Sequence, residues 1–160
     1  MVGPTDPVRG QHGTGAALPI VGLDHVVLRV RALDPMLHFY CAALGCTVER
    51  RDDSIGLVQL RAGAALIDLL PVNGRLGRAG GAPPGSEGRN LDHFCLQLSH
   101  FDEPALRAAL SAHGVSAGPV ERRNGALGEG PSVYLQDPDG NTVELKGPPT
   151  PGAVFRRPLP

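Results

Sequence analysis

Apolar and polar positions along the chain fall into a pattern that occurs twice. The run G-L-D-H-V-V-L-R-V at residues 22–30 reads as a half-buried strand, and N-L-D-H-F-C-L-Q-L at residues 90–98 matches it. Each run precedes a helix start. Asp34 is expected as an N-cap with Pro35 at the first helical position, and Asp102 is expected to cap in the same way before Glu103 and Pro104. Apolar residues then recur at helical spacing, at Met36, Leu37, Tyr40 and Leu44 and again at Leu106, Ala109 and Leu110. Each helix is expected to stop at a glycine suited to left-handed backbone, Gly45 or Gly114. V-E-R-R follows in both halves, at residues 48–51 and 120–123, and then two further strand-like runs. These cover residues 55–61 and 64–70 in the first half, and 132–136 and 142–146 in the second, where the turn Asp137-Pro138-Asp139-Gly140 joins them.

Each half therefore reads strand, helix, strand, strand, strand. The offset between matching positions is 68 from His25 to His93 and 76 from Asp68 to Glu144, and its growth falls in the loops, as a duplicated fold requires. The predicted fold is α+β, two tandem βαβββ modules. A four-stranded sheet with one helix keeps an uncovered face, and two such sheets side by side form a cleft lined from both halves.

Composition adds boundaries. The 22 glycines and 16 prolines cluster at residues 1–19, 73–90 and 147–160. The expected organisation is a flexible tail at 1–19, one domain at 20–147 and a flexible tail at 148–160. Within the domain, module one spans 20–72, a linker or lid 73–90, and module two 91–147.

With 41% hydrophobic but only 4% aromatic residues and no Trp, the core is aliphatic and base-stacking platforms are not expected. A net charge of -1 and a pI near 6.6 offer no basic face for nucleic acid or an anionic membrane, so a small-molecule partner is expected. No run approaches the ~18 apolar residues of a membrane span. Residues 1–18 lack the continuous apolar stretch of a signal peptide. Cys41, Cys46 and Cys95 form neither an even framework nor a C-x-x-C pair, so they are expected as buried small hydrophobes in a reducing, cytoplasmic setting.

Residues two apart on a strand share a face, so His25 lies with Leu23 and Val27, and His93 with Leu91 and Cys95. On the last strand of each half a carboxylate interrupts an apolar run: Asp68 in A-L-I-D-L-L and Glu144 in N-T-V-E-L-K. Asp68 shares its face with Leu66 and Leu70, and burying its charge is costly unless it is paired or bound to a metal. Two imidazoles and two carboxylates at equivalent repeat positions would make one N2O2 site for a divalent ion of the zinc, iron, nickel or manganese type. His12, His38, His100 and His113 are expected in surface or capping roles. Cys95 is expected to be inert. Arg50, Arg51, Arg122 and Arg123 are read as solvated charges, the alternative being a grip on a substrate carboxylate. The glycine-bearing loop at residues 124–131 has the composition of a lid, but no G-K-[ST] follows it.

The segments L-D-H-V-V-L, F-Y-C-A-A-L-G, L-D-H-F-C-L and D-P-D-G-N-T-V-E-L together resemble the vicinal oxygen chelate superfamily, which includes glyoxalases, extradiol dioxygenases and fosfomycin and bleomycin resistance proteins. The resemblance spans residues 20–147. It implies that His25, His93 and Glu144 are metal ligands, and that Asp68 stands where glyoxalases often carry Glu. It further implies a metal-containing cleft and a metal-dependent lyase or isomerase of the lactoylglutathione lyase type. In that chemistry a divalent ion (Zn, Ni, Mn or Fe) chelates vicinal oxygens of a small substrate, such as a glutathione adduct. The ion stabilises an enediolate while Glu144 or Asp68 moves a proton. Open sheet edges make a homodimer the expectation, and the resemblance implies that such pairing can place ligands from two chains around one ion. Two alternatives accompany this reading: an extradiol-type non-haem iron dioxygenase, which needs Asp68 off the metal, and a drug-binding or fosfomycin-type resistance protein.

Overall fold

The structure, a computed structural model, describes residues 20–152. The readings placed on residues 1–19 and 153–160, His12 among them, lie outside the described residues. Two four-stranded mixed sheets carry the fold. Module one runs β1 (His25–Val30), α1 (Leu33–Leu37) continuing as a π-helical turn (His38–Ala43), β2 (Thr47–Asp52), β3 (Leu57–Ala62) and β4 (Ala65–Pro71). Module two runs β5 (His93–Gln97), α2 (Glu103–Ala112), β6 (Glu121–Arg123), β7 (Gly130–Gln136) and β8 (Thr142–Lys146). The strand orders are β1-β4-β3-β2 and β5-β8-β7-β6, so the topology repeats as the sequence does. In each sheet the first strand pairs in parallel with the last, and the other pairings are antiparallel.

Period-two alternation divides each sheet into a core face and an open face. Leu28 and Val30 on β1, Val58 and Leu60 on β3, and Ile67 and Leu69 on β4 point inward, where Met36, Phe39 and Tyr40 cover them. Val133, Leu135, Val143 and Leu145 do the same in module two against Leu110. The two modules share this core. Tyr40 is fully buried, and its hydroxyl donates to Asp137 Oδ2 of module two at 2.8 Å while its ring stacks near Phe94 at 6.4 Å. Burial and the Asp137 carboxylate hold the Tyr40 phenol far above its ordinary pKa, so it stays a donor. Asp137 also accepts from the backbone of Asp139 and from both nitrogens of Asn141, which builds the D-P-D-G-N turn around one buried carboxylate.

The first helix departs from expectation. It starts at Leu33 with Ala32 as N-cap and no side-chain cap bond, so Asp34 lies inside the first turn. Pro35 then falls among the first four residues, whose N–H groups lack intrahelical partners in any case, and the acidic residue still complements the helix N-terminus. Asp102 does cap α2, accepting from Ala105 N at 3.1 Å. Gly45 and Gly114 take positive φ of 77° and 72° at the helix ends.

Residues 73–90 contain a short 3-10 turn, Gly77–Gly80, laced down by one side chain. The Arg29 guanidinium donates to the carbonyls of Gly77, Gly80, Gly81 and Ala82, and Arg31 donates to Pro84. No helix among the described residues is long and apolar enough to cross a membrane.

Candidate functional site

The register places the candidate ligands identically in both modules. Asp68 stands opposite Val27, two residues beyond His25, and Glu144 stands opposite Cys95, two residues beyond His93. Each pair therefore lies diagonally across a parallel strand pair, on the open face of its sheet.

The second pair meets directly. His93 Nε2 lies 3.3 Å from Glu144 Oε2. Glu144 is buried, at 4% exposure, and its other oxygen, Oε1, has no hydrogen-bond partner. Tyr134 packs its ring edge-on to His93 at 5.5 Å, and Arg123 lies 5.8 Å from that ring's centre. Further along the same face Lys146 is buried and donates to Arg123 O at 2.6 Å.

The first pair is looser. His25 is half exposed and makes no ion pair with Asp68 among the described residues. Asp68 is buried as expected, and both its oxygens accept from Gln59 Nε2, at 3.1 and 3.0 Å. Gln59 is its cross-strand neighbour on β3. That amide was not anticipated; a polar residue flanked by Val58 and Leu60 was its only trace in the sequence.

A carboxylate also backs each imidazole. Asp24 Oδ1 lies 2.6 Å from His25 Nδ1, and Asp92 Oδ2 lies 2.7 Å from His93 Nδ1. The Asp24 hydrogen bond holds His25 above its ordinary pKa, and the charge of Asp68 adds to this.

The four candidate ligands do not converge in one chain: among the described residues no cluster of three or more His, Cys, Asp or Glu side chains is arranged to hold a metal ion. The chain presents two separate His–carboxylate pairs. The donor chemistry of the second fits a divalent cation, since Glu144 brings Oε2 within 3.3 Å of His93 Nε2 and leaves Oε1 buried without a hydrogen-bond partner. The first fits less completely because Gln59 already engages Asp68. A cleft of about 440 Å3 lies elsewhere, among Cys46, Ala62, Leu98 and Leu106, and none of the four residues lines it.

The cysteines do not behave alike. Cys46 is buried as expected, Cys41 is half-buried and Cys95 is exposed, because β5 turns Cys95 to the open face with His93. Desolvation of its sulfur, then the neighbouring Glu144 charge, pushes the Cys95 thiol up to about 12. Arg50, Arg51, Arg122 and Arg123 all pair with carboxylates, at Asp52, Asp53, Glu129 and Glu121. His38 and His100 are exposed and His113 half-buried, outside the two pairs.

This duplicated βαβββ architecture, with a His and a carboxylate on each open face, defines a class. The family model for the Glyoxalase/Bleomycin resistance protein/Dioxygenase superfamily matches residues 22–145, and the chain belongs to that superfamily. The virulence protein STM3117 of Salmonella typhimurium is 32% identical over 137 residues, which are 84% of this chain and 90% of that protein. Its crystal structure superposes with a TM-score of 0.62 at 25% identity, over 82% of this chain and 99% of that one. The glyoxalase domain-containing protein RDO1 of Mycosarcoma maydis is 30% identical over 131 residues, covering 80% of this chain and 69% of that protein. A lactoylglutathione lyase from Agrobacterium tumefaciens shares the fold at a TM-score of 0.60 and 19% identity, over 81% of this chain and 96% of that one.

Proposed function

We propose that the chain is a glyoxalase-like, metal-dependent lyase or isomerase that moves a proton between adjacent carbons of a small substrate bearing two neighbouring oxygens. The observation that carries this reading is the His93–Glu144 pair. Asp92 lies 2.7 Å from His93 Nδ1 and Glu144 Oε2 lies 3.3 Å from Nε2. With the ring proton held on Nδ1, the bare Nε2 and the carboxylate oxygen would repel, and a cation between them would relieve the repulsion. His93 and Glu144 would hold the ion from one side, and His25 and Asp68 from the other.

A divalent ion bound there supplies Lewis-acid stabilisation of charge on the substrate oxygens. Glu144 Oε1, without a partner in its buried setting, is the atom suited to take up the proton. Tyr134 and Arg123 lie on one flank of His93, and an acidic group of a substrate, as a glutathione adduct has, would compete with Glu121 for the Arg123 guanidinium.

We propose that the site is completed between two copies of the chain. β1 and β5, which carry the histidines, are both edge strands, and the exposed apolar residues Ile20, Val21, Leu23 and Leu91 lie just before them. Two such edges pairing in a homodimer would bring one copy's first half-site against the other's second.

The test starts with protein purified without added metal: elemental analysis, then turnover of methylglyoxal with glutathione under added zinc, nickel or manganese. Glu144→Gln is expected to abolish turnover with the fold intact, and full activity in that variant refutes the assignment. Mixing inactive His25→Ala and Glu144→Gln chains is expected to restore partial activity if sites are shared. One observation favours a second reading. Gln59 occupies both oxygens of Asp68, so two histidines and Glu144 alone would form the facial triad of a ring-cleaving iron dioxygenase. Bound ferrous iron with oxygen uptake on a catechol would select it.

A further inference from the structure

The duplicated Leu-Asp-His segments carry two aspartates, Asp24 and Asp92. Their side chains are 90% and 96% exposed, and among the described residues each makes a single hydrogen bond, to the imidazole that follows it. Among the described residues they cap no helix and pair with no arginine. The distances, 2.6 and 2.7 Å, are shorter than the usual 2.9–3.0 Å of a neutral N–H···O bond and belong to the charge-assisted range. The backbone of Asp24 is itself fixed, its carbonyl accepting from Leu66 N at 3.0 Å on the neighbouring strand.

A neutral imidazole has one N–H to give. A carboxylate at Nδ1 claims that proton and leaves Nε2 bare. In module two Nε2 faces Glu144 Oε2 at 3.3 Å, and in module one His25 makes no ion pair with Asp68 among the described residues. The same arrangement stands at both repeat positions, at equivalent residues.

We infer that Asp24 and Asp92 are positioning residues that hold His25 and His93 in the Nδ1–H tautomer and so present both Nε2 atoms for metal coordination. The inference rests on the metal-dependent reading above. The carboxylate does two things at once. It selects the tautomer, and it makes the imidazole a stronger donor by sharing its proton, the arrangement known to strengthen zinc binding when a carboxylate backs a ligating histidine. Asparagine fills the same volume without the charge, and its amide can turn to donate to Nδ1, which stabilises the wrong tautomer.

The experiment compares the full-length chain with Asp24→Asn, Asp92→Asn and the double variant. Long-range 1H–15N spectra of the metal-free proteins read the tautomer of each histidine directly. Competition of zinc against a chromophoric chelator then reads affinity. In the parent chain both rings are expected as Nδ1–H; each Asn variant is expected to shift its own ring toward Nε2–H and to weaken zinc binding by about 10- to 100-fold. Asp24→Glu and Asp92→Glu, which keep a carboxylate, are expected to recover part of the loss. Unfolding curves that match the parent's attribute the changes to the rings. Parent-like tautomers with zinc affinity within twofold in the Asn variants overturn the inference. A parent chain that binds no zinc at all would instead remove the metal-dependent reading, while the spectra still decide the tautomers.

Discussion

Replacing Tyr40 with Phe removes one oxygen atom and nothing else, at the point where the modules are joined. The hydroxyl is fully buried and donates at 2.8 Å to a carboxylate that is itself 4% exposed, so water cannot substitute for the lost donor. Hydrogen bonds to charged groups contribute about 1.5–3 kcal/mol. Asp137 keeps three donors after the change, two from Asn141 and one from Asp139. This places the expected loss near the lower end, about 2 kcal/mol. For a domain of this size that lowers Tm by roughly 4–8 °C. Urea unfolding followed by circular dichroism measures it, with the midpoint moving and the slope unchanged. A loss below about 0.5 kcal/mol, within the range of an ordinary surface substitution, would refute the claim that this bond fastens one module to the other.

Other changes have equally definite outcomes. Gly77→Ala drives a methyl into the Pro71 carbonyl and the Val72 backbone, neither of which can yield, so it is expected to cost about 1–3 kcal/mol; Gly80→Ala meets only the Arg29 guanidinium and should cost less in the same thermal melts. Arg29→Ala releases four backbone carbonyls, so limited proteolysis is expected to cut within residues 77–84 much faster than in the parent, with little change in the global melting temperature. Burial holds the Cys46 thiol up at about 11, so the native protein is expected to resist a thiol reagent at neutral pH until it is unfolded in urea. Because folding raises that pKa, the contribution of Cys46 to stability is complete below the ordinary thiol value of about 8.5 and lost as pH climbs toward 11. Cys46→Ala should flatten that alkaline decline.

Local signals carried much of the fold. The duplicated strand, the helix-ending glycines, the Asp102 cap and the D-P-D-G-N turn each depend on neighbours a few residues away, and the structure has them where the pattern put them. What escaped depends on partners far along the chain. Gln59 meets Asp68 only because β3 lies beside β4, and Tyr40 reaches Asp137 across 97 positions. The exposure of Cys95 was missed because a short apolar strand does not announce which face is covered. Asp34 looked like a cap because Pro35 follows it, yet proline is tolerated anywhere in a first turn. Asp24 and Asp92 were in plain view within the repeated L-D-H, and the duplication of the aspartate along with the histidine was the signal that could have marked them.

The shared register has a consequence for how such a chain can change over time. Between the first and second modules the spacing from histidine to carboxylate has lengthened from 43 residues (25 to 68) to 51 (93 to 144), yet each carboxylate still stands opposite the residue two beyond its histidine. Length is thus a free variable in the connections and a forbidden one within the strands, where losing a single residue would turn a histidine or carboxylate onto the core side. Insertions and deletions can reshape the surroundings of the two His–carboxylate pairs while the pairs stay where they are, and loop length is the coordinate along which chains of this fold can diverge.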